Sequence, residues 1–177
     1  DQPLFIGSKL INDFPRNSEI PMQVGDILKK SSNRGAILIR RNLECESEFK
    51  TDLDQIGLLN STQIGFEMIS VEPTVNNFRG SYCDNIPFGY GLSVSPIQLI
   101  NAYGKIITGR ENFNATFEKK EKQNENKYNK ISNTVNKLLF YANESNNVLY
   151  KNFLVAGKTG TADQIISEDE KFQNVTY

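Results

Sequence analysis

Histidine is absent from this sequence of 177 residues, and cysteine is scarce. Without an imidazole, the chain cannot itself supply a Ser-His-Asp triad or His-ligated zinc. The two cysteines, Cys45 and Cys83, are too few for a disulfide framework or a four-thiolate metal site. We therefore expect no metal and no cofactor, and the sequence leaves open whether the two cysteines pair.

An excess of positive charge is lacking too, because 20 Lys and Arg residues are balanced by 21 Asp and Glu residues. The broad positive field that binds a phosphate backbone is therefore missing, and we expect no nucleic-acid partner. No apolar run approaches the roughly 20 residues of a membrane span, and no basic-then-apolar signal segment opens the chain. The length fits one domain.

The first half of the chain carries several helix signals. Residues 3–21 are punctuated by Pro and Asn, which predicts loop with short extended pieces. Apolar residues at helical spacing over Met22–Lys30 predict a short amphipathic helix, and Ala36–Ile39 predict a second, well-buried one. Ser31-Ser32-Asn33 between them are residues that prefer caps and turns, so this joint can present polar side chains on a rigid base.

One further helix and two irregular stretches are predicted in the middle of the chain. The charged stretch Glu44–Leu59 predicts a helix that ends at Gly57, and Asn60–Pro87 predicts a long irregular connection. Glu118–Lys130 is charge-dense and of low complexity, which predicts a solvated insertion.

The clearest helix start is Ser95-Pro96, because Ser suits the N-cap and Pro the first helical position. The apolar spacing predicts a helix through about Ile107, and Gly109 is the stop signal. After the insertion a second amphipathic helix is predicted. Its inward-facing residues are Ile131, Val135, Leu138, Leu139 and Ala142.

Gly157-Lys158-Thr159 could belong to a phosphate-binding loop, but the first glycine of that pattern would fall on Asn152. Instead, the apolar run Phe153–Ala156 predicts a buried strand with polar residues at its end. Thr159 and Thr161 would then share a face, and a cationic strand edge with hydroxyls suits an extended peptide that ends in a carboxylate. The alternative is an ordinary surface strand with a solvated lysine.

Ser31 and Asn33 form a second candidate site. A hydroxyl and a carboxamide two residues apart at a helix junction can point into one cleft, where Ser can pass a proton and Asn can donate and accept hydrogen bonds. The alternative is a simple capping motif. Our hypothesis is that this corner and the end of the strand near Lys158 are opposite walls of one crevice.

Three segments, in chain order, resemble the transpeptidase domain of class B penicillin-binding proteins of the septal and elongation types. Lys30–Gly35 matches the Ser-x-Asn motif of that family, and the other two segments are Phe88–Leu99 and Val155–Ala162. The resemblance runs from about Pro21 to Ala162. It implies an α/β (α+β) fold of the penicillin-binding and serine β-lactamase type, with helices packed on an antiparallel sheet.

The chain also departs from this family. Members carry a Ser-x-x-Lys motif upstream of Ser-x-Asn, where Ser is the acylated nucleophile and Lys its base. Nothing upstream of Ser31 fits, and Ser47-Glu48-Phe49-Lys50 matches only in the wrong order and in a charged, exposed helix, so we treat it as a coincidence. We expect residues 1–177 to be a partial transpeptidase domain, without the N-terminal part that carries Ser-x-x-Lys and without the C-terminal strands and helix.

The resemblance implies catalytic roles for three residues. Ser31 would help to shuttle a proton to the leaving amine, Asn33 would hold the amide of the substrate, and Lys158 would supply positive potential that favours an anionic terminus. The family reaction is acyl transfer: a serine attacks the penultimate D-alanine carbonyl of a peptidoglycan stem peptide, D-alanine leaves, and an acceptor amine resolves the acyl-enzyme.

The resemblance also implies a substrate-binding strand. Thr159 and Thr161 would hydrogen-bond the carboxylate, Gly160 would leave room for the ligand backbone, and the backbone N–H of Thr161 would be one arm of an oxyanion hole. β-Lactams would bind because they imitate the D-alanyl-D-alanine end.

Two functional hypotheses follow. The first is a fragment of a D,D-transpeptidase of cell-wall synthesis or cell division that is inactive and poorly stable alone. The second is a non-catalytic homologue, a scaffold that binds peptidoglycan or divisome partners. In either case the resemblance implies a parent protein of the inner membrane that faces the periplasm, with divisome or elongation-complex proteins as possible partners.

Overall fold

The computed structural model describes residues 2–13, 21–61, 74–75, 78–116, 129–143, 149–150, 153–164 and 173–176. The helices are α1 (Val24–Lys29), α2 (Asn33–Arg40), α3 (Lys50–Gln55), α4 (Ser81–Asn85), α5 (Pro96–Thr108) and α6 (Asn129–Asn143). A π-helical turn, Cys45–Phe49, leads into α3, and a 3₁₀ turn, Ile86–Phe88, follows α4. The strands are β1 (Leu4–Ile6), β2 (Lys9–Ile11), β3 (Thr74–Val75), β4 (Leu92–Ser93), β5 (Leu149–Tyr150), β6 (Phe153–Leu154), β7 (Thr161–Gln164) and β8 (Gln173–Thr176).

The strands pair in antiparallel fashion, and the predicted combination of helices with antiparallel strands is confirmed. Within the described residues they form four two-stranded sheets, β1–β2, β3–β4, β5–β6 and β7–β8. In the first, Leu4 pairs with Ile11 and Ile6 with Lys9, and Gly7 turns the chain at φ +58°. The short extended pieces predicted for residues 3–21 are therefore this hairpin, although residues 14–20 lie outside the described part.

The best-packed core joins the β1–β2 hairpin to α2. Leu4 and Ile6 alternate inward around exposed Phe5, and together with Ile11 they bury Ile37 completely. Arg34 in α2 and Arg41, the C-cap of α2, fix the hairpin along the helix. Arg34 donates to the carbonyl of Gln2 at 2.9 Å, and Arg41 donates to the carbonyl of Phe5 at 2.8 Å. The hairpin thus determines where α2 lies.

The joint between α1 and α2 is tightly packed. A Cβ atom on Gly35 would lie 2.6 Å from the Ile27 side chain, so the two short helices approach closely only because this residue has no side chain. The prediction that α2 is well buried is correct for Ile37 but wrong for Leu38 and Ile39, which are 53% and 42% exposed. The reason is that a single helix face meets the hairpin, and each successive residue turns about 100° away from it.

Helix α5 begins and ends where its capping signals predict. Ser95 accepts from the backbone N–H of Gln98, the Gln98 side chain accepts from the backbone N–H of Ser95, and Gly109 ends the helix at φ +71°. Helix α6 then packs on α5, and its Ser132 and Asn136 side chains donate to the carbonyl of Ile107 in the last turn of α5.

The inward face predicted for α6 is partly correct. Leu139 is buried at 6% exposure, and Val135, Leu138 and Ala142 are half-buried, but Ile131 is 56% exposed. Ile131 lies in the first full turn of the helix, next to Ser132, which occupies the buried contact with α5. A polar residue therefore takes the inward position that periodicity assigned to an apolar one.

The question that the sequence left open about the cysteines has an answer in the structure. Cys45 and Cys83 form a disulfide that joins the π-helical turn to α4. Next to it, the buried Asp84 carboxylate forms ion pairs with Arg40 and Arg41 at the end of α2. Burial and the neighbouring Arg41 charge both lower the pKa of the Arg40 guanidinium.

The helix predicted over Glu44–Leu59 is confirmed as the π-helical turn followed by α3, and Gly57 follows the helix at φ +87°. Most of the predicted insertion Glu118–Lys130 lies outside the described residues. Part of Asn60–Pro87 does as well, but its described part contains β3, α4 and the start of the 3₁₀ turn, so the prediction of an irregular connection is wrong there. The disulfide and the Asp84 ion pairs, which depend on distant residues, hold α4 in place. Among the residues that the structure describes, no helix has both the length and the apolar content needed to cross a membrane.

Candidate functional site

Ser31 occupies the turn between α1 and α2, in a backbone conformation that is rare for a residue with a side chain. Its φ is +51°, in the left-handed region, and it is the one non-glycine residue of the described part with positive φ. The turn is closed by two backbone hydrogen bonds, from Ser31 N–H to the carbonyl of Leu28 at 3.3 Å and from Ser32 N–H to the carbonyl of Ile27 at 2.9 Å. The exposed Ser31 side chain is thus projected from a closed turn.

The next residues begin α2 and connect it to the end of the hairpin. Ser32 is the N-cap, and its Oγ accepts from the backbone N–H of Gly35 at 2.9 Å. The same hydroxyl donates to Asp13 Oδ2 at 2.6 Å, and Asp13 Oδ1 accepts from the backbone N–H of Arg34 at 3.1 Å. Asn33 is the first residue of α2 and is half-buried.

Lys158 lies against this corner although it is 127 residues away in sequence. Its ammonium donates to Ser31 Oγ and also to the carbonyl of Thr159 at 2.8 Å. Partial burial lowers the pKa of Lys158 below its ordinary value of 10.5, because desolvation penalises the charged form. The structure therefore brings together the two places that the sequence assigned to opposite walls of one crevice.

The segment that carries Lys158 differs from the sequence prediction. Residues 155–160 have no regular secondary structure, and Val155 is 40% exposed, so the predicted buried strand is wrong beyond the two residues of β6. Strand β7 starts only at Thr161, which pairs with Thr176. The two glycines at 157 and 160 explain the difference, since glycine weakens a strand and permits an irregular course.

Of the remaining predicted residues, Asn33 lies two positions after Ser31, and Thr159 directly follows Lys158 and accepts from it through its backbone carbonyl. In the described part of the chain, neither Asn33 nor the exposed Thr159 side chain hydrogen-bonds to Ser31 or Lys158. Gly160 is exposed, and a Cβ atom there would meet nothing within 4 Å, so the chain leaves open space beside it.

The end of α6 holds both parts of the site, which the sequence prediction missed. Tyr141 donates from its hydroxyl to Asp26 Oδ1 at 2.7 Å, and the Lys29 ammonium lies 4.7 Å from the centre of its ring. The Tyr141 hydrogen bond, with a second from the Gln23 backbone, lowers the pKa of Asp26. Two residues on, Asn143 donates to the carbonyl of Val155 at 2.9 Å. Helix α6 therefore contacts α1, just before Ser31, and also the segment that leads to Lys158.

The Ser31–Lys158 pair defines the chemistry of this site. An ammonium that donates to Oγ leaves the serine O–H free to donate elsewhere, and it increases the acidity of that proton. A phosphate-binding loop is excluded, because strand β7 and not a helix N-terminus comes after Lys158. Within the described residues there is also no group of three or more His, Cys, Asp or Glu side chains that could hold a metal ion.

Comparison with known proteins identifies the family of this fold. Residues 3–177 match the family model for the penicillin-binding protein transpeptidase domain. A peptidoglycan glycosyltransferase from Burkholderia ambifaria superimposes with a TM-score of 0.75 at 25% identity over 90% of this chain. The transpeptidase (TP) domain of penicillin-binding protein 3 from Burkholderia pseudomallei gives 0.70 at 26% identity over 85%. The fold is thus that of a penicillin-binding protein transpeptidase domain.

The chain belongs to the penicillin-binding protein transpeptidase domain family, in its class B. Among curated proteins, it is 26% identical to the penicillin-binding protein PbpB of Mycolicibacterium smegmatis over 102 residues and to that of Mycobacterium tuberculosis over 103 residues. These matches cover 56% and 57% of this chain but 16% and 15% of the relatives. The chain spans about half of the two solved chains, 53% and 48%.

Proposed function

We propose that this chain is part of a D,D-transpeptidase that cross-links peptidoglycan stem peptides by serine acyl transfer and is acylated by penicillin. The observation that carries the proposal is the contact between the Lys158 ammonium and Ser31 Oγ. This contact places a hydroxyl that can give up a proton next to a fixed positive charge. The hydroxyl is suited to deliver a proton to a leaving amine, and the positive charge is suited to a neighbouring carboxylate terminus.

We propose the following roles for the individual residues, and the contact between Lys158 and Ser31 supports the first of them. Ser31 passes a proton to the amine of the departing D-alanine while Lys158 holds Oγ in place. Within the described residues, Lys158 uses two of its three N–H donors, so one is available for the anionic end of the substrate. Asn33 holds the substrate amide, and Thr159 and Thr161 bind the carboxylate. The backbone of Gly160 lies open to the peptide, and the N–H of Thr161 is one arm of the oxyanion hole.

The acylated serine is proposed to come from a Ser-x-x-Lys segment that precedes this sequence in the parent protein. Ser47-Glu48-Phe49-Lys50 is a poor alternative, because both Ser47 and Lys50 are exposed and the Lys50 ammonium lies 5.8 Å from the Phe78 ring centre. This chain by itself is accordingly inactive. The Cys45–Cys83 disulfide supports a place on the periplasmic face of the inner membrane, since structural disulfides persist in oxidising compartments.

A fluorescent penicillin tests the proposal directly. The full-length gene product is expected to form a covalent adduct that survives denaturing gel electrophoresis, whereas residues 1–177 alone are expected to remain unlabelled. The labelled residue is identified by peptide mass spectrometry. An unlabelled but folded full-length protein would point to the non-catalytic scaffold, and a label on Ser47 would contradict the proposed nucleophile.

The lowered pKa of Lys158 predicts how acylation responds to alkaline pH. Because the proposed role needs the charged form, the second-order rate constant of acylation should decline at a pH below 10.5, where an ordinary lysine is still protonated. Lys158→Arg keeps its charge throughout this range. The Lys158→Arg variant should be acylated more slowly at neutral pH. Its rate constant should not show the alkaline decline when each incubation is kept brief. The same alkaline decline in both proteins would show that another group titrates.

A further inference from the structure

A buried carboxylate outside the recognised motifs accepts hydrogen bonds from the residues that follow Ser31 and Asn33. Asp13 is 7% exposed and follows β2 at the end of the hairpin. Its two oxygens accept from two different groups of one turn, Oδ2 from the Ser32 hydroxyl at 2.6 Å and Oδ1 from the backbone N–H of Arg34 at 3.1 Å. The residues thus held are the immediate neighbours of Ser31 and Asn33.

The Asp13 contact also determines what the Ser32 hydroxyl can do. Ser32 has a single O–H proton, and with that proton given to Asp13, Oγ is free to accept from the N–H of Gly35. The carboxylate therefore fixes the N-cap in one orientation, and it lies where the positive end of the α2 dipole favours a negative charge. The N-cap hydroxyl and one backbone N–H of the first helical turn thus both donate to a residue 19 to 21 positions upstream.

We propose that Asp13 is a positioning residue of the transpeptidase site, which sets the placement of Ser31 and Asn33 through Ser32 and Arg34. The hairpin core holds Asp13 in place, because Ile11, two residues before it, is packed against Ile37 of α2. The hairpin contacts α2 near its middle through Ile37, and its buried contact at the N-terminus of α2 is Asp13, beside the exposed hydrogen bond from Arg34 to the carbonyl of Gln2. Loss of the second contact leaves α2 packed but lets its first turn shift relative to Lys158.

This inference rests on the proposed function, and its test compares acylation among folded molecules. In the full-length gene product, Asp13→Asn keeps an acceptor for Arg34 but loses the acceptor for the Ser32 hydroxyl, and Asp13→Ala loses both. We expect the acylation rate constant per folded active site to fall by about 10- to 100-fold, more in Asp13→Ala, since a displacement of about 1 Å can cost that much. Stopped-flow mixing with a penicillin, after titration of active sites, gives this constant.

Two further variants separate positioning from simple loss of stability. Asn101→Ala removes another buried side chain that accepts from a backbone N–H, that of Ala115, and should lower the melting temperature without changing the rate per folded site. Ser32→Ala should slow acylation, and Asp13→Asn added to it should slow it little further, because both changes remove one interaction.

The outcomes distinguish the inference from the function on which it rests. A wild-type protein that is not acylated overturns the proposed function and this role of Asp13 together. A wild-type protein that is acylated, with Asp13→Asn and Asp13→Ala equally fast per folded site, overturns only the role of Asp13. Fully additive effects of Asp13→Asn and Ser32→Ala would also overturn it. If Asp13→Ala does not fold, Asp13→Asn and Ser32→Ala decide the question.

Discussion

Lys158→Ala is expected to slow penicillin acylation of the full-length protein by about 100- to 1,000-fold, the effect of removing one preorganised charged donor. The variant loses the hydrogen bond to Ser31 Oγ and the positive potential of the crevice at once. Protein stability should hardly change, because the lysine is already partly desolvated and its charge brings no ion pair that the structure shows within the described residues. The second-order rate constant with a chromogenic or fluorescent β-lactam measures the effect.

Lys50→Ala is the matched control for this prediction. Lys50 is a lysine like Lys158, and it lies three residues after Ser47. It is exposed, however, and its ammonium contacts the Phe78 ring. Its replacement should leave acylation unchanged. If Lys50→Ala were the slower variant, Ser47-x-x-Lys50 would be the reactive pair, and the assignment of the crevice would be wrong.

Removal of the Cys45–Cys83 disulfide is expected to produce the largest loss of stability. The bridge closes a segment with a sequence separation of 38, for which the chain-entropy model gives about 4 kcal/mol of the free energy of unfolding. Without it, α4 is held chiefly by the ion pairs of Asp84 with Arg40 and Arg41 and by its packing on the 3₁₀ turn. Because those arginines are the last residue of α2 and its C-cap, the loss also weakens support for the helix that begins at Asn33.

Chemical denaturation of the oxidised protein, the reduced protein and Cys83→Ala measures this loss, and mass spectrometry after alkylation counts the free thiols. Glu46→Ala is the control, since it removes an exposed ion pair with Arg79 beside the bridge and should change the free energy of unfolding by less than about 1 kcal/mol. Equal midpoints for oxidised and reduced protein, with both thiols shown to be free after reduction, would contradict the prediction.

The parts of the fold that sequence reasoning predicted are those determined by neighbouring residues. Helix α5 is the best example, because its N-cap Ser95, its first-turn Pro96 and its terminal Gly109 all act within a few positions. The Ser32 cap of α2 is predictable for the same reason, as is the turn at Gly57. Such signals state where an element begins and ends, but they do not state what it contacts.

The features that could not be predicted depend on contacts between distant residues. Asp13 has no motif around it, and its role appears only when the hairpin is placed against α2. The positions of Tyr141 and Asn143 at the end of α6 were likewise invisible, because the periodicity of a helix reports apolar faces and not polar contacts at its end. The contact between Lys158 and Ser31 could only be stated as a hypothesis, because no local signal determines how residues 127 positions apart in the chain are placed.

The left-handed backbone at Ser31 limits which residues can evolve there. Threonine carries the same hydroxyl and is the usual conservative replacement, but a β-branched side chain is sterically disfavoured at φ +51°. Glycine and asparagine suit that conformation but lack the hydroxyl. Under the proposed role of Ser31, serine is therefore nearly the only residue that combines a hydroxyl with this backbone conformation, and replacement by threonine should be poorly tolerated there.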